Sequence, residues 1–179
     1  MRRPPLVERA IAAAEAVGFD GSCSDESGAV RHLLGAGRGV HRVAEIGTGV
    51  GVGTAWLVSA LAPGVVVHTV ELDPTHATVA AQLFAEDDDV NVHVGDWHDQ
   101  LQPHAPFDLV FVDAIDVKDS VDRVLGLTAP RATLVLDGFT ADFPGPDSRR
   151  DAWFEHPRLV AATITTKHPS QLVIAVVRG

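Results

Sequence analysis

Apolar and polar positions along this chain follow two different periods, and the switches between them mark out its elements. Residues 6–17, rich in Ala and Glu, carry apolar side chains at helical spacing behind Pro4-Pro5, which can start a helix. A second helix is predicted after Ser24, capped by Ser24 with Ser27 nearby. Val30, Leu33 and Leu34 form its apolar stripe, and the glycines at 35, 37 and 39 end it. From there short β-branched runs alternate with helical stretches. Strands are predicted over 42–46, 65–72, 90–94, 107–112 and 133–136, and helices over 54–61, from Pro74 to about Glu86, and around 120–127. Phe107–Val112 is a continuous apolar run, the mark of a strand covered on both faces. Residues 140–150 read as a loop around Pro144-Gly145-Pro146, followed by a short helix near 151–154. Two last strands, 159–166 and 171–177, are separated only by His168-Pro169-Ser170, too few residues for a crossover, so they should pair antiparallel.

Strands joined by helices and closed by a hairpin predict an α/β fold: a Rossmann-like, doubly wound, seven-stranded and mostly parallel sheet with a C-terminal antiparallel hairpin. At 179 residues the chain is expected to be one domain, with N-terminal helices over 1–39 and a ligand-binding core over 40–179. Apolar residues at 46% and charged residues at 21% are ordinary for a globular protein. The net charge of −10 changes the picture more. It disfavours polyanions, so neither nucleic acid nor a lipid surface is expected as a partner. The single cysteine, Cys23, leaves no disulfide framework and suits a reducing compartment. The basic N-terminus has no apolar signal core behind it, and the longest apolar runs fall short of the roughly 20 residues of a membrane span. A cytoplasmic protein is expected.

The chemistry concentrates where strands end. Glu45-Ile46-Gly47-Thr48-Gly49-Val50-Gly51-Val52-Gly53 joins the first strand to a helix. Glycines there let the backbone turn sharply and let a ligand approach it, beside the free N–H groups of a helix start. A dinucleotide turn needs Gly-x-Gly-x-x-Gly or Ala. The two possible registers put Val52 or Thr54 in the last place, and neither fits. An acidic residue two places before the first glycine suits a cationic, amino-acid-bearing ligand better than a diphosphate. Glu71-Leu72 ends the second strand with a carboxylate able to accept bonds from ribose hydroxyls, which either ligand class would use. Asp73 before Pro74 reads as a helix cap.

The glycine motif resembles that of the class I S-adenosylmethionine-dependent methyltransferases. The resemblance implies that Glu45, Gly47, Thr48, Gly49 and Gly51 cradle this cofactor, that Glu71 holds its ribose, and that Leu72 beside it also contacts the cofactor. It further implies that Gly95-Asp96-Trp97, at the end of the third strand, meet the adenine. Phe107-Asp108-Leu109-Val110-Phe111-Val112-Asp113-Ala114 and Leu136-Asp137-Gly138 resemble the catechol-type, metal-dependent O-methyltransferases over roughly residues 24–179. In that family the two aspartates, here Asp113 and Asp137, hold a divalent ion such as Mg²⁺ beside the reacting methyl. Asp113 also touches the cofactor, and a small-molecule methyl acceptor is implied.

The departures matter. The family's asparagine ligand is Gly138; its lysine, a candidate base, is Asp116, with Lys118 two places on; and its Pro-Gly-Gly turn is Pro130-Arg131-Ala132. Asp116 is a candidate replacement ligand, giving an Asp113, Asp116, Asp137 set. Asp113, Lys118 and Asp137 are the candidate catalytic residues.

Other features carry less. His98 is close enough to Trp97 to be a candidate base, and Ser24 to Gly28 borders the acceptor pocket in the family. Phe139, Phe143, Trp153 and Phe154 flank the Pro144 loop and could form a lid. Asp87-Asp88-Asp89 reads as a solvated loop. The N-terminal helices could cover the site or pair two copies into a homodimer. Two rival readings stay open: a cofactor-binding protein that has lost its chemistry, and an NAD-dependent oxidoreductase. The glycine spacing and the absence of any tyrosine speak against the second.

Overall fold

A computed structural model describes residues 2–166 and 169–179. Lys167 and His168, the start of the predicted hairpin connection, lie outside them. Fourteen elements follow in chain order: α1 (Pro5–Ala16), α2 (Asp25–Gly35), β1 (Arg42–Ile46), α3 (Val52–Val58), β2 (Val66–Glu71), α4 (Pro74–Leu83), β3 (Val90–Val94), α5 (Trp97–Leu101), β4 (Phe107–Val112), α6 (Val121–Leu125), β5 (Thr128–Thr140), α7 (Ser148–Glu155), β6 (Leu159–Thr165) and β7 (Ser170–Val177). Short 3-10 turns at Gln102–His104 and Ile115–Asp119 flank β4. The sheet order is β3-β2-β1-β4-β5-β7-β6. Pairing from β3 through β5 is parallel, while β7 runs antiparallel to both neighbours, as the strand–helix alternation predicts. No helix of the described residues is long and apolar enough to cross a membrane.

Strand side chains alternate between two apolar layers. Val43, Val67, Leu109, Phe111 and Val135 face one side, over Leu57 of α3. Ala44, Ile46, Val110, Val112, Leu134 and Leu136 face the other, with Val121 and Val124 of α6 and Trp153 of α7. Glu45 therefore shares the Val43 face, toward α2 and α3.

Three differences from the sequence expectation bear on function. First, α2 does not bury Leu33, which is 71% exposed. Its inward stripe is Ser27, Gly28, Arg31 and Gly35. Small residues let α2 lie close on α3, where a Cβ on Gly28 would stand 2.3 Å from Trp56 Nε1. Second, β5 extends to Thr140 through a bulge. Leu136 pairs with Val173 and Phe139 with Gln171, so Asp137 and Gly138 together oppose a single residue of β7, Gly138 at φ 78°. Bulges bend a strand and re-aim side chains, and here the re-aimed residue is Asp137. Third, Arg131 adopts φ 65° in the place of a family glycine, and α7 starts at Ser148, inside the predicted loop.

Trp153 of α7 is fully buried, and its Nε1 donates to the Lys118 carbonyl at 2.9 Å, clamping the turn that carries Lys118. Trp153→Phe keeps most of the apolar area but leaves that carbonyl without its donor. Urea unfolding should register a loss of about 1–3 kcal/mol.

Candidate functional site

The C-terminal tips of β1, β2, β3 and β4 open onto one groove, the usual place for a ligand in such a sheet. On one side Phe19, Ser22, Cys23, Glu45, Gly47, Thr48, Gly49, Gly53, Glu71, His76 and Asp113 line a cavity of about 190 Å³. On the other, Gly47, Glu71, Leu72, Gly95, Asp96, Trp97, Asp113, Asp116, Ser120 and Arg123 line one of about 460 Å³. Gly47, Glu71 and Asp113 belong to both, so the cavities are two halves of one elongated site. Every predicted cofactor residue except Gly51 lines one half or the other; Gly51 instead packs under Leu83 and Phe84 of the α4 region.

Local conformation explains the glycines. Gly47 has φ 96°, and a Cβ there would come within 2.7 Å of the Asp113 carbonyl oxygen. No other residue fits that turn. Gly51 caps α3 in the left-handed region. Gly53 answers to packing: a Cβ would lie 2.8 Å from Arg31 Nη1 and 2.9 Å from Glu45 Oε1. Glu71 is stitched to the turn, accepting from the Gly49 N–H at 2.7 Å through Oε2 and from the Asp73 N–H at 3.0 Å through Oε1. Asp73 caps α4, as expected. Asp96 caps α5, its Oδ1 accepting from the His98 and Asp99 N–H groups. Trp97 stands over the wider half of the groove, with the Arg123 guanidinium 5.0 Å from its ring centroid.

The centre of the site is a residue that sequence reasoning missed. Arg31, 1% exposed, donates from Nη1 to Glu45 Oε1 and from Nη2 to Asp113 Oδ2, both at 2.6 Å, and its Nη2 lies 3.6 Å from Asp137 Oδ2. Thr54 and Thr69 also donate to Glu45, and Ser27 Oγ donates to Asp137. Burial alone would lower the Arg31 pKa, but Asp113, Glu45 and Asp137 override it and raise it further. Burial pushes the Glu45 and Asp113 carboxyls up, and Arg31 opposes the shift at both. The signal for Arg31 was the small-residue spacing of Ser27, Gly28 and Gly35 around it, which marks the inward face of α2 better than Leu33 does.

Asp113 and Asp137 thus converge, but on a guanidinium. Asp116 is exposed, and with Asp113 and Asp137 it forms no cluster. Among the described residues, the one group of three or more potential metal-ligating side chains with donor atoms within 4.8 Å of one another is His68, His93 and His104.

Lys118 is buried, its Nζ 4.8 Å from the Phe139 ring centroid and 3.1 Å from where a Cβ on Gly138 would stand. The ammonium thus fills the space into which an asparagine at 138 would project. Burial lowers the Lys118 pKa, against the pull of Asp113 and Asp137. Ile115, Lys118, Gly138, Phe139, Thr140, Phe143, Asp147 and Arg149 line a third cavity, about 240 Å³. Of the predicted lid aromatics, Phe139 and Phe143 line it. Trp153 lies in the core, and Phe154 and His98 line neither this cavity nor the groove. Burial holds the Cys23 thiol up at about 12, so it stays protonated.

The residues present fit S-adenosylmethionine. Ser22 Oγ is buried beside the narrower half without a hydrogen-bond partner among the described residues. The carboxyl groups of Glu45, Asp113 and Asp137 outnumber the one permanent cation among them, Arg31, which suits a ligand with a sulfonium and an ammonium group.

Comparison with known proteins points the same way. The model of a family described as a methyltransferase domain matches residues 44–137. A catechol O-methyltransferase of Mycobacterium tuberculosis is 35% identical over 182 residues, covering 90% of this chain and 82% of the relative. The crystal structure of the O-methyltransferase TomG from Streptomyces achromogenes, in complex with S-adenosylmethionine, superposes with a TM-score of 0.82 at 28% identity, covering 99% of this chain and 92% of that one. An O-methyltransferase from Bacillus cereus shares the fold, with a TM-score of 0.83 at 24% identity and coverage of 99% and 93%. On these matches the chain belongs to the methyltransferase family and is an S-adenosylmethionine-dependent O-methyltransferase.

Proposed function

We propose that this enzyme methylates a hydroxyl oxygen of a small, single-ring aromatic acceptor without a divalent ion, and that Arg31 supplies the fixed positive charge at the strand tips. The observation that carries this reading is the Arg31 guanidinium held between Asp113 and Asp137. A divalent ion does not fit the residues present. A hard cation of this kind takes about six oxygen ligands, whereas one oxygen of Asp113 accepts from Arg31 and both oxygens of Asp137 accept hydrogen bonds, from Ser27 and from the Gly138 N–H. Gly138 has no side-chain oxygen, and Asp116 lies apart.

The cofactor's methionine end sits against Gly47, Gly49 and Ser22, its ribose on Glu71, and its adenine between Asp96 and Trp97. The acceptor enters the cavity beside Lys118, Phe139 and Phe143. At about 240 Å³ that cavity is smaller than the roughly 300–1,000 Å³ of a drug-sized site. Lys118, its ammonium form disfavoured by burial, takes the hydroxyl proton as an unprotonated amine. The oxygen attacks the methyl in line, the carbon–sulfur bond breaks, and its electron pair stays on sulfur as S-adenosylhomocysteine leaves. The net charge of −10 supports such an acceptor over a nucleic acid, and the single cysteine supports a reducing, cytoplasmic setting.

Four outcomes test this reading. Glu71→Ala should weaken S-adenosylhomocysteine binding by calorimetry about tenfold to a hundredfold, the worth of bonds to a charged acceptor; unchanged affinity removes Glu71 from the ribose site. Turnover of a hydroxylated aromatic, followed by S-adenosylhomocysteine release, should survive EDTA, and a rate that returns only with Mg²⁺ overturns the ion-free mechanism. In the same experiment Arg31→Met should abolish turnover and cost about 3–5 kcal/mol of stability, since it leaves buried carboxylates unpaired. With Lys118 as base, kcat/KM should rise with pH along a limb centred below the ordinary lysine value of about 10.4. Lys118→Met should flatten that limb, and an unaltered profile would assign the proton elsewhere.

A further inference from the structure

The three histidines set apart above lie on the opposite face of the sheet from Glu45, under the α5 layer. Strand alternation puts His68 of β2 on the same face as Val70, and the β2–β3 register, with His68 opposite Asn91 and Val70 opposite His93, places His93 diagonally beside it. His104 ends the 3-10 turn after α5 and lies nearly parallel on His68, ring centroids 4.0 Å apart and planes 17° from each other. His68 Nδ1 and His93 Nε2 are 3.0 Å apart, and donor nitrogens of all three lie within 4.8 Å of one another. His68 is buried at 7% exposure and the other two are half-buried. Three separate elements thus deliver three imidazoles to one point, and the methyl-transfer chemistry uses none of them.

We propose that His68, His93 and His104 form a binding site for a borderline transition-metal ion, Zn²⁺ above all, distinct from the methyl-transfer centre. An all-imidazole set with no carboxylate selects Zn²⁺ or its neighbours over Mg²⁺ or Ca²⁺. Zinc–nitrogen bonds of about 2.0–2.1 Å imply ligand separations near 3.3 Å in a tetrahedron. The His68–His93 pair needs to open by only a few tenths of an ångström, and His104, on a short turn, closes the third side. Burial first, and then the charges of His104 and His93, hold His68 at about 4, and burial likewise lowers His93, so both are neutral ligands near neutral pH. The nearby cation is Arg42, whose Nη1 donates to the His104 carbonyl at 2.8 Å and fixes the backbone of that ligand. Three protein ligands leave the fourth position to water. The ion would tie β2, β3 and the turn after α5 together just below Glu71, Gly95 and Asp96, stiffening the adenosine end of the groove.

Calorimetric titration of untagged, EDTA-treated protein with ZnCl₂ tests this directly. We expect one saturable equivalent, a raised Tm, and, with Co²⁺ as probe, the visible absorption of a tetrahedral nitrogen site. His104→Ala and His93→Ala should each weaken binding on the order of tenfold or more, while Asp137→Asn leaves it unchanged. In the wild-type protein, so that folding of a variant is not at issue, Zn²⁺ should shift the imidazole NMR signals of these three histidines and of no others. No saturable equivalent, or signals that move elsewhere, would overturn the site. S-adenosylhomocysteine affinity measured alongside, without zinc, reports on the methyltransferase site independently.

Discussion

One buried guanidinium holds this site together. Arg31 comes from α2 and its partners from the tips of β1, β4 and β5, so the network joins four segments that the chain order keeps far apart. Glu45 and Asp113 would repel each other and face a large desolvation cost without it. Arg31 opposes the rise that burial imposes on both carboxyls and fixes their direction, the pre-organisation that an electrostatic site requires.

Several peculiarities of the chain follow from that arrangement. Gly53 is a glycine because the Arg31–Glu45 pair lies against its Cα. Ser27 and Gly28 are small because α2 must come close enough to α3 for the Arg31 side chain to reach the strand tips. The β5 bulge swings Asp137 toward Ser27 and Arg31, and Gly138 supplies the left-handed backbone the bulge adopts while leaving room for Lys118. On the ion-free reading, departures that look like separate losses beside the metal-dependent family the sequence resembles, asparagine to glycine and a displaced lysine, become parts of a single exchange of ion for side chains.

Most of the fold was legible because its signals are local. Buried parallel strands such as Phe107–Val112 announce themselves as apolar runs, and Asp73-Pro74 and Ser24 mark helix starts by cap chemistry. The groove at the strand tips was equally legible, since Glu45 and Glu71 lie at the ends of β1 and β2, and Gly47, Asp96 and Asp113 follow β1, β3 and β4 within two residues. Arg31 was not, because an arginine beside Val30 and Leu34 reads as the polar flank of an amphipathic helix. Only the tertiary placement of three acids turns that flank inward. The same holds for the histidines: positions 68, 93 and 104 share no helical or strand spacing, and it takes the β2–β3 register together with the 3-10 turn after α5 to bring them together. The short α5, which positions Trp97, was missed because five residues give no periodicity to read.

The proposed exchange of ion for guanidinium also bears on the acceptor. A divalent ion can chelate two neighbouring oxygens and lower the pKa of both. A guanidinium already bonded to two carboxylates offers charge but no coordination vacancies. On the ion-free reading, selection for a vicinal diol is lost, and the acidity of the acceptor hydroxyl falls to the base and to the acceptor itself. Lys118 meets half of that demand, its burial favouring the neutral amine. The acceptor must meet the other half, which favours a ring whose substituents already acidify the hydroxyl over an unactivated catechol. The aromatic walls of Phe139 and Phe143 suit such a ring, and the specificity of the enzyme then rests on the shape of that wall.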